Sequence, residues 1–314
     1  MESNIKMKQA LILGGHGFIG GNLAKRLKSE EWYVAIVDLK EYSYGESPSD
    51  IKLITDIRKL TIDWNNFDRI YCVAAQMGGA GYSFTGDNDA DILSDSLSIN
   101  IHVLKELKKA NYKGIVFYSS SVCVYPAGVE GKETDAYPAN PPSNYGWEKL
   151  TSERLYMAYA KNYGLDTRIA RFHNTFGPYG TYEGGREKSP AAICRKVYKA
   201  KKEIEIWGNG KQLRPFIYID DLLDGIEALM QSDYKEPINL GPNEGITIDE
   251  LADKVSLIAG KSLKKKYIEG PTGEQTRYAN NDLAQKVLSW KPKRDINEGL
   301  VKTYFWVTNQ YDHS

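Results

Sequence analysis

The sequence predicts an α/β protein: a doubly wound parallel sheet followed by a smaller α/β C-terminal lobe. Two observations carry this. Compact apolar runs at 9–13, 32–38, 68–75 and 114–119 have the length of buried strands, and the stretches between them place apolar residues at helical spacing. The first run also ends in a glycine-rich turn that opens a helix, as a strand–helix–strand unit requires. Alternation of this kind favours a parallel sheet covered on both faces.

In chain order, residues 9–13 read as a buried strand running into Gly14-x-x-Gly17-x-x-Gly20. Leu23, Ala24 and Leu27 then mark a helix, and 32–38 the second strand. The run 68–75 is a third strand, Ile92, Leu93, Leu97, Ile101, Leu104 and Leu107 suit a helix over 91–111, and 114–119 is a further strand. From Gly177 the pattern changes to a Gly-, Tyr- and Arg-rich loop, a helix near 190–201, and Lys-rich segments alternating with short strands. Residues 1–175 are therefore expected to form the cofactor lobe and 176–314 a second lobe, with 215–241 returning to the first.

Composition narrows the function. The chain has 314 residues, 41 Lys+Arg against 41 Asp+Glu, and 41% hydrophobic residues. A neutral protein has no general field to hold nucleic acid or an anionic membrane, so any phosphate must be bound locally. No stretch is apolar enough to span a bilayer, and the first residues lack the basic-then-apolar plan of a signal peptide, so a soluble, cytoplasmic protein is expected. Cys72, Cys123 and Cys194 lie far apart, as do the four histidines, which predicts neither a disulfide framework nor a metal centre.

Gly14, Gly17 and Gly20 sit where absent side chains let the backbone turn tightly and approach a pyrophosphate at a helix N-terminus. Asp38 ends the second strand, eighteen residues beyond Gly20, where an acceptor for the adenosine ribose hydroxyls belongs. A carboxylate there repels a 2′-phosphate, so NAD is favoured over NADP. Ser121 follows a strand end, and Tyr145 and Lys149, at i and i+4, share one helix face. A phenol with a reference pKa of ~10 is a poor base, but a neighbouring ammonium and an oxidised nicotinamide favour the phenolate. Tyr145 can then accept the proton of a sugar hydroxyl while hydride leaves, with Ser121 hydrogen-bonding the same oxygen.

Gly14-x-x-Gly17-x-x-Gly20, Asp38, Ser121 and Tyr145-x-x-x-Lys149 together resemble the extended short-chain dehydrogenase/reductase family over essentially the whole chain. The resemblance implies a Rossmann-type NAD lobe with Phe18, Ile19 and Ala74 also at the cofactor, a C-terminal lobe for a nucleotide-linked sugar, and a homodimer. Within that family, the runs 77–81 (MGGAG), 120–126 (SSVCVYP), 171–178 (RFHNTFGP), 184–195 (GGREKSPAAICR), 213–220 (LRPFIYID) and 303–306 (TYFW) are similar to the branch that epimerises GDP-mannose. That pattern assigns Cys123 and Lys188 as an acid/base pair. Such a pair has work to do because oxidation at C4 makes the protons on C3 and C5 removable, and inversion needs a group on each ring face. It also assigns Asn174, Arg186, Arg214 and Arg277 to the sugar diphosphate, where guanidinium forks suit phosphate oxygens, and Gln76, Gly78 and Gly79 to the sugar. For Trp207 and Tyr218 there are two readings, packing near guanine and core packing, and the second is favoured.

One departure stands out: the branch usually reads Ala-Ala-Asp-Met-Gly-Gly where this chain has AAQMGG at 74–79, and the stretch 82–95 also matches poorly. The leading expectation is an NAD-dependent epimerase of GDP-mannose or a GDP-heptose. A GDP-sugar 4-dehydrogenase or 4-keto reductase, with the same triad but one hydride step, is the alternative that Gln76 leaves open. A non-catalytic NAD-sensing module is disfavoured by the complete triad.

Overall fold

The computed structural model describes residues 7–273 and 279–312. In chain order, β1 (Gln9–Leu13), α1 (Phe18–Ser29), β2 (Tyr33–Asp38), β3 (Ile51–Ile54), β4 (Arg69–Cys72), α2 (Ala80–Ser83), α3 (Asp89–Lys109), β5 (Ile115–Ser121), α4 (Asn144–Tyr163) and β6 (Asp166–Phe172) make up the first part. There follow β7 (Asn174–Phe176), α5 (Ser189–Lys199), β8 (Glu203–Trp207), β9 (Leu213–Arg214), β10 (Phe216–Tyr218), α6 (Ile219–Gln231), β11 (Ile238–Leu240), β12 (Ile246–Thr247), α7 (Ile248–Ile258), β13 (Lys264–Ile268), α8 (Asp282–Leu288) and α9 (Ile296–Asp312). Among the described residues, seven strands form one parallel sheet in the order β11-β6-β5-β4-β1-β2-β3, and three two-stranded sheets pair β10 with β7, β12 with β9 and β13 with β8.

Period-two alternation explains how the sheet is covered. Ala10, Ile12, Val34 and Ile36 face one side, against Leu23 and Leu27 of α1 and Leu222 and Ile226 of α6. Leu11, Leu13, Ala35 and Val37 face the other, against Val103, Leu104 and Leu107 of α3 and Tyr156 of α4. Strands buried on both sides read as continuous apolar runs, which is why they stand out in the sequence. The strand β3 does not, because all four of its residues are exposed at the sheet edge.

Two strands differ in length from the sequence reading. The run 68–75 is apolar beyond Cys72, but β4 stops there. Its last link to β1 is the Val73 N–H to the Leu13 carbonyl, 3.1 Å, after which Gly14 turns away in the left-handed region at φ +88. β5 instead runs on to Ser121, because pairing with β6 continues to Ser121 opposite Phe172. The segment from Phe216 to Leu240 goes back to the main sheet: α6 packs on α1 and β6, and β11 pairs in parallel with β6.

Helix α4 is the structural centre of the site. Ser143 caps it, its hydroxyl accepting from the Gly146 N–H at 3.2 Å, and Gly164 ends it in the left-handed region at φ +70. Its buried face is polar: Glu148, Lys149, Ser152 and Glu153 are all under cover. Glu153 is held by Arg171 of β6 through bonds of 2.9 and 2.7 Å and by the Ser120 hydroxyl of β5 at 2.5 Å. Arg171 also donates to the Tyr125 hydroxyl at 3.0 Å and the Glu133 carbonyl at 2.9 Å.

An uncompensated buried carboxylate is expensive, so Arg171→Leu is expected to cost about 3–5 kcal/mol in urea unfolding. A loss below about 1 kcal/mol would show that Glu153 can be left unpaired at no great cost.

Candidate active site

The candidate residues gather at the C-terminal edge of the sheet, where β1 lies between β2 and β4 and the chain winds away in both directions. Gly14 leads out of β1 and faces the segment leaving β4: a Cβ on Gly14 would lie 2.7 Å from the Ala74 backbone. One on Gly20 would lie 2.2 Å from the Gly14 carbonyl oxygen, so only glycine permits this turn. Gly17 is the N-cap of α1 and supplies no side-chain cap, so the first helix turn, with Phe18, Ile19 and Gly20, keeps amides for an external anion. At the end of β2, Asp38 accepts from the His16 N–H at 3.0 Å and the Lys40 N–H at 3.2 Å. These bonds orient the carboxylate, and its remaining lone pairs suit a ribose diol. His16 was not foreseen; its imidazole ties the Lys40 carbonyl and the Ser47 hydroxyl to the glycine loop at 2.7 and 2.8 Å. The groups present therefore fit NAD.

The second group forms where α4 meets the end of β5. Ser121 is buried, and its hydroxyl accepts from the Cys123 N–H at 3.2 Å. Gly146 brings the start of α4 directly onto that turn, since a Cβ there would lie 2.2 Å from the Cys123 carbonyl oxygen. Ser121, Cys123 and Tyr145 are thus neighbours through backbone contact. Lys149 is 2% exposed and donates to the Ser119 carbonyl at 3.2 Å and the Tyr118 hydroxyl at 3.4 Å, with the Tyr145 ring centroid 5.7 Å away. Of the two phenols beside this ammonium, Tyr118 is fully buried, and burial together with the Glu148 charge holds it well above the usual range. Tyr118 stays a neutral acceptor, while Tyr145 is half-buried at the mouth.

Among the cysteines, burial pushes Cys72 and Cys194 up to about 12, which leaves them inert thiols, whereas Cys123 lies on the Ser121 turn. Burial also lowers His173 to about 3, so it is a neutral packing residue against Gly241.

The third group joins two loops. The Gly79 N–H donates to the Arg186 carbonyl at 3.0 Å, and a Cβ on Gly79 would lie 2.2 Å from the Glu187 carbonyl oxygen. Gly78 is as crowded, against Tyr82. Lys188, the N-cap of α5, is carried by this contact to the loop after β4. Gln76 is clamped: its amide donates to Asp95 at 3.2 Å and accepts from the Tyr82 hydroxyl at 3.3 Å and Arg186 at 3.4 Å. Arg186 stacks on the Tyr82 ring 4.0 Å from its centroid, and Asp95 is ion-paired with Arg58. A carboxylate, that of Asp95 on the stretch that departs from the resemblance, thus lies against the Gln76 amide.

Asn174 opens β7, and Arg214 ends β9, its guanidinium donating to the Thr272 carbonyl at 2.9 Å. Arg277 lies outside the described residues. Tyr218 is core, against Phe176. Trp207 is not: it is 41% exposed, its indole against Gly270 and Gly81, because β8 belongs to a two-stranded sheet with one open face. A cavity of about 560 Å³ opens beside the start of α4, lined in part by Ser83, Thr85, Asp89, Asn144 and Trp147.

The chain matches the NAD dependent epimerase/dehydratase family over residues 10–241. It belongs to that family. NAD is its cofactor, and it is an epimerase of the extended short-chain dehydrogenase/reductase class. It is 37% identical over 315 residues to GDP-mannose 3,5-epimerase 1 of Oryza sativa subsp. indica, covering 96% of this chain and 82% of that protein. It is likewise 37% identical over 326 residues to GDP-mannose 3,5-epimerase of Arabidopsis thaliana, covering 99% and 84%. Its fold matches that of the UDP-glucose 4-epimerase of Thermotoga maritima, solved with UDP-glucose, with a TM-score of 0.86 at 23% identity over 96% of this chain and 99% of that one. Among the described residues, no helix of this family member is long and apolar enough to cross a membrane.

Gly20→Ala is expected to weaken NAD binding at least about tenfold, about 1.4 kcal/mol, in a fluorescence titration, with the circular dichroism spectrum retained. Unchanged affinity would take the glycine loop out of the cofactor site.

Proposed function

We propose that this protein is an NAD-dependent epimerase of a GDP-linked manno-configured sugar, GDP-mannose or a GDP-heptose. It works by transient oxidation at C4, proton exchange at C3 or C5, and re-reduction. The observation that carries the reading is the abutment of the Cys123 backbone, on the Ser121 turn, against the start of the helix that bears Tyr145 and Lys149. The 37% identity to two GDP-mannose 3,5-epimerases over nearly the whole chain supports it.

When bound, NAD would supply the acceptor and then the donor of the C4 hydride, with no net consumption over a cycle. Tyr145 takes the C4 hydroxyl proton as the phenolate, favoured by the Lys149 ammonium, and Ser121 hydrogen-bonds the same oxygen. With C4 a ketone, Cys123 and Lys188 act as the pair that removes a proton from the adjacent carbon on one face and returns one on the other. Gln76, Gly78 and Gly79 shape the sugar site; Asn174, Arg186, Arg214 and Arg277 take the diphosphate. Gly14, Gly17, Phe18, Ile19, Gly20, Asp38 and Ala74 hold NAD. The division of labour is residues 1–175 with the 215–241 return for NAD and 176–314 for the nucleotide sugar. The cavity beside α4, lined by the divergent stretch after Gly81, supports keeping a sugar longer than a hexose as a candidate. A homodimer through α3 and α4, whose surfaces leave Ile101, Trp147 and Tyr163 exposed, completes the proposal.

The test is incubation with GDP-mannose and with GDP-heptose in deuterium oxide, following NADH absorbance and the ring protons. Label at C3 or C5 without net NADH is expected; stoichiometric NADH without label would replace epimerisation by 4-dehydrogenation.

Cys123→Ala is expected to abolish isotope exchange yet leave C4 oxidation measurable, whereas Tyr145→Phe should suppress both about 10²- to 10⁴-fold. Equal loss of both activities in Cys123→Ala, with NAD affinity intact, would count against a proton-transfer role for Cys123.

A further inference from the structure

Two adjacent helix residues, Glu148 and Lys149, are buried with their charges facing each other. Neighbouring positions on a helix diverge by about 100°, so helix geometry does not pair them. Yet Glu148 Oε2 lies 3.5 Å from Lys149 Nζ, with side-chain exposures of 0% and 3%. The other carboxylate oxygen, Oε1, accepts from the Ser152 hydroxyl at 2.9 Å and from Asn100 Nδ2 of α3 at 3.4 Å. Among the described residues Oε2 has no hydrogen-bond donor, so the Lys149 ammonium is what compensates it.

Seen from Lys149, the case is symmetrical. Its hydrogen bonds go to a carbonyl, Ser119, and a phenol, Tyr118, both neutral. An ammonium buried among neutral acceptors loses its proton readily, because desolvation penalises the charged form. Among the described residues, the other titratable groups packed around the pair do not supply a counter-charge. Burial keeps Tyr118 on β5 protonated, as it does Tyr156 on α4, whose hydroxyl donates to Asn100 Oδ1 at 3.2 Å. Burial also keeps the Cys72 thiol on β4, behind Tyr156, protonated. Cys123 sits on the turn against the start of α4, and Glu153 is engaged by Arg171 of β6. Tyr145 itself is the group the ammonium must act on.

We propose that Glu148 is a positioning residue, the fixed counter-charge that keeps Lys149 protonated so that its ammonium can favour the Tyr145 phenolate. The inference rests on reading Lys149 as the partner of Tyr145. It gives Glu148 a function that its surroundings require: a carboxylate sealed between α3, α4 and β5 serves no surface ion pair and reaches no solvent.

The experiment follows the Lys149 side-chain carbon resonance in NAD-loaded protein labelled with ¹³Cε-lysine, assigned by difference from Lys149→Met. In Glu148→Gln the Lys149 titration midpoint is expected to fall by about one pH unit or more, with melting temperature and NAD content retained. The alkaline limb of kcat/KM should fall by a similar amount on whichever GDP-sugar the wild type turns over, a shift that a purely structural role would not produce. Glu148→Asp, which keeps the charge, should restore most of the midpoint, and it carries the test if Glu148→Gln does not fold. A midpoint unmoved in Glu148→Gln, or one that falls as far in Glu148→Asp as in Glu148→Gln, would overturn the proposal. Where Glu148→Gln does not fold, a midpoint in Glu148→Asp lower by about one unit or more than that of the wild type would overturn it as well. Absence of label uptake by the wild type with either sugar would instead undo the proposed reaction, leaving the lysine titration to be judged separately.

Discussion

The buried ion pair between Glu153 and Arg171 is the constraint on which the site depends. Tyr145, Lys149 and Glu153 are spaced four residues apart, so they lie along one face of α4. Fixing Glu153 against Ser120 and Arg171 therefore sets the rotation and height of that face over β5. Ser120 precedes Ser121, so the same bond also sets the hydroxyl of Ser121 relative to the phenol of Tyr145. A buried pair of this kind adds little net stability compared with apolar packing of similar volume, but it tolerates only one register. The Tyr125 hydroxyl, which accepts from Arg171 at 3.0 Å and donates to Asn239 at 2.6 Å, extends that register to β11.

Around this fixed helix the remaining parts are brought in by backbone proximity. Gly14 against Ala74, Gly146 against Cys123 and Gly79 against Glu187 each put two chain segments closer than a side chain would allow. The site is thus assembled by three missing Cβ atoms as much as by the polar groups it displays. The clamp on Gln76 follows the same logic. Its neutral amide donates to one neighbour and accepts from two, bridging Asp95, Tyr82 and Arg186 in a way a carboxylate could not.

Much of this was legible in the sequence because the signals are local. The glycine spacing, Asp38 at a strand end, and Tyr145 four residues before Lys149 each depend only on the geometry of one element. The limits of β4 and β5 were not local, since they are set by pairing with β1 and β6, and apolar residues continue past Cys72. The strand β3 has no apolar face to betray it. Glu148 and Glu153 carry no sequence signal of burial; only the packing of α3 and β6 shows them buried. Trp207 reads as core by residue type alone, yet its short sheet leaves it half open. Asp95, the partner of Gln76, lies on α3 while Gln76 lies in the loop after β4, and that pairing has no sequence signature.

The edge position of β11 has a consequence for how the chain is made. The strand that covers β6 comes only after the whole β7 to α6 segment. As a nascent polypeptide leaves the ribosome amino end first, β6 emerges with one row of backbone amides and carbonyls unsatisfied, and it stays so until residues 238–240 follow. An uncapped parallel edge is a template for intermolecular association. The interval between those two strands is therefore when this side of β6 is open to intermolecular pairing, as it would remain in a chain stopped within it.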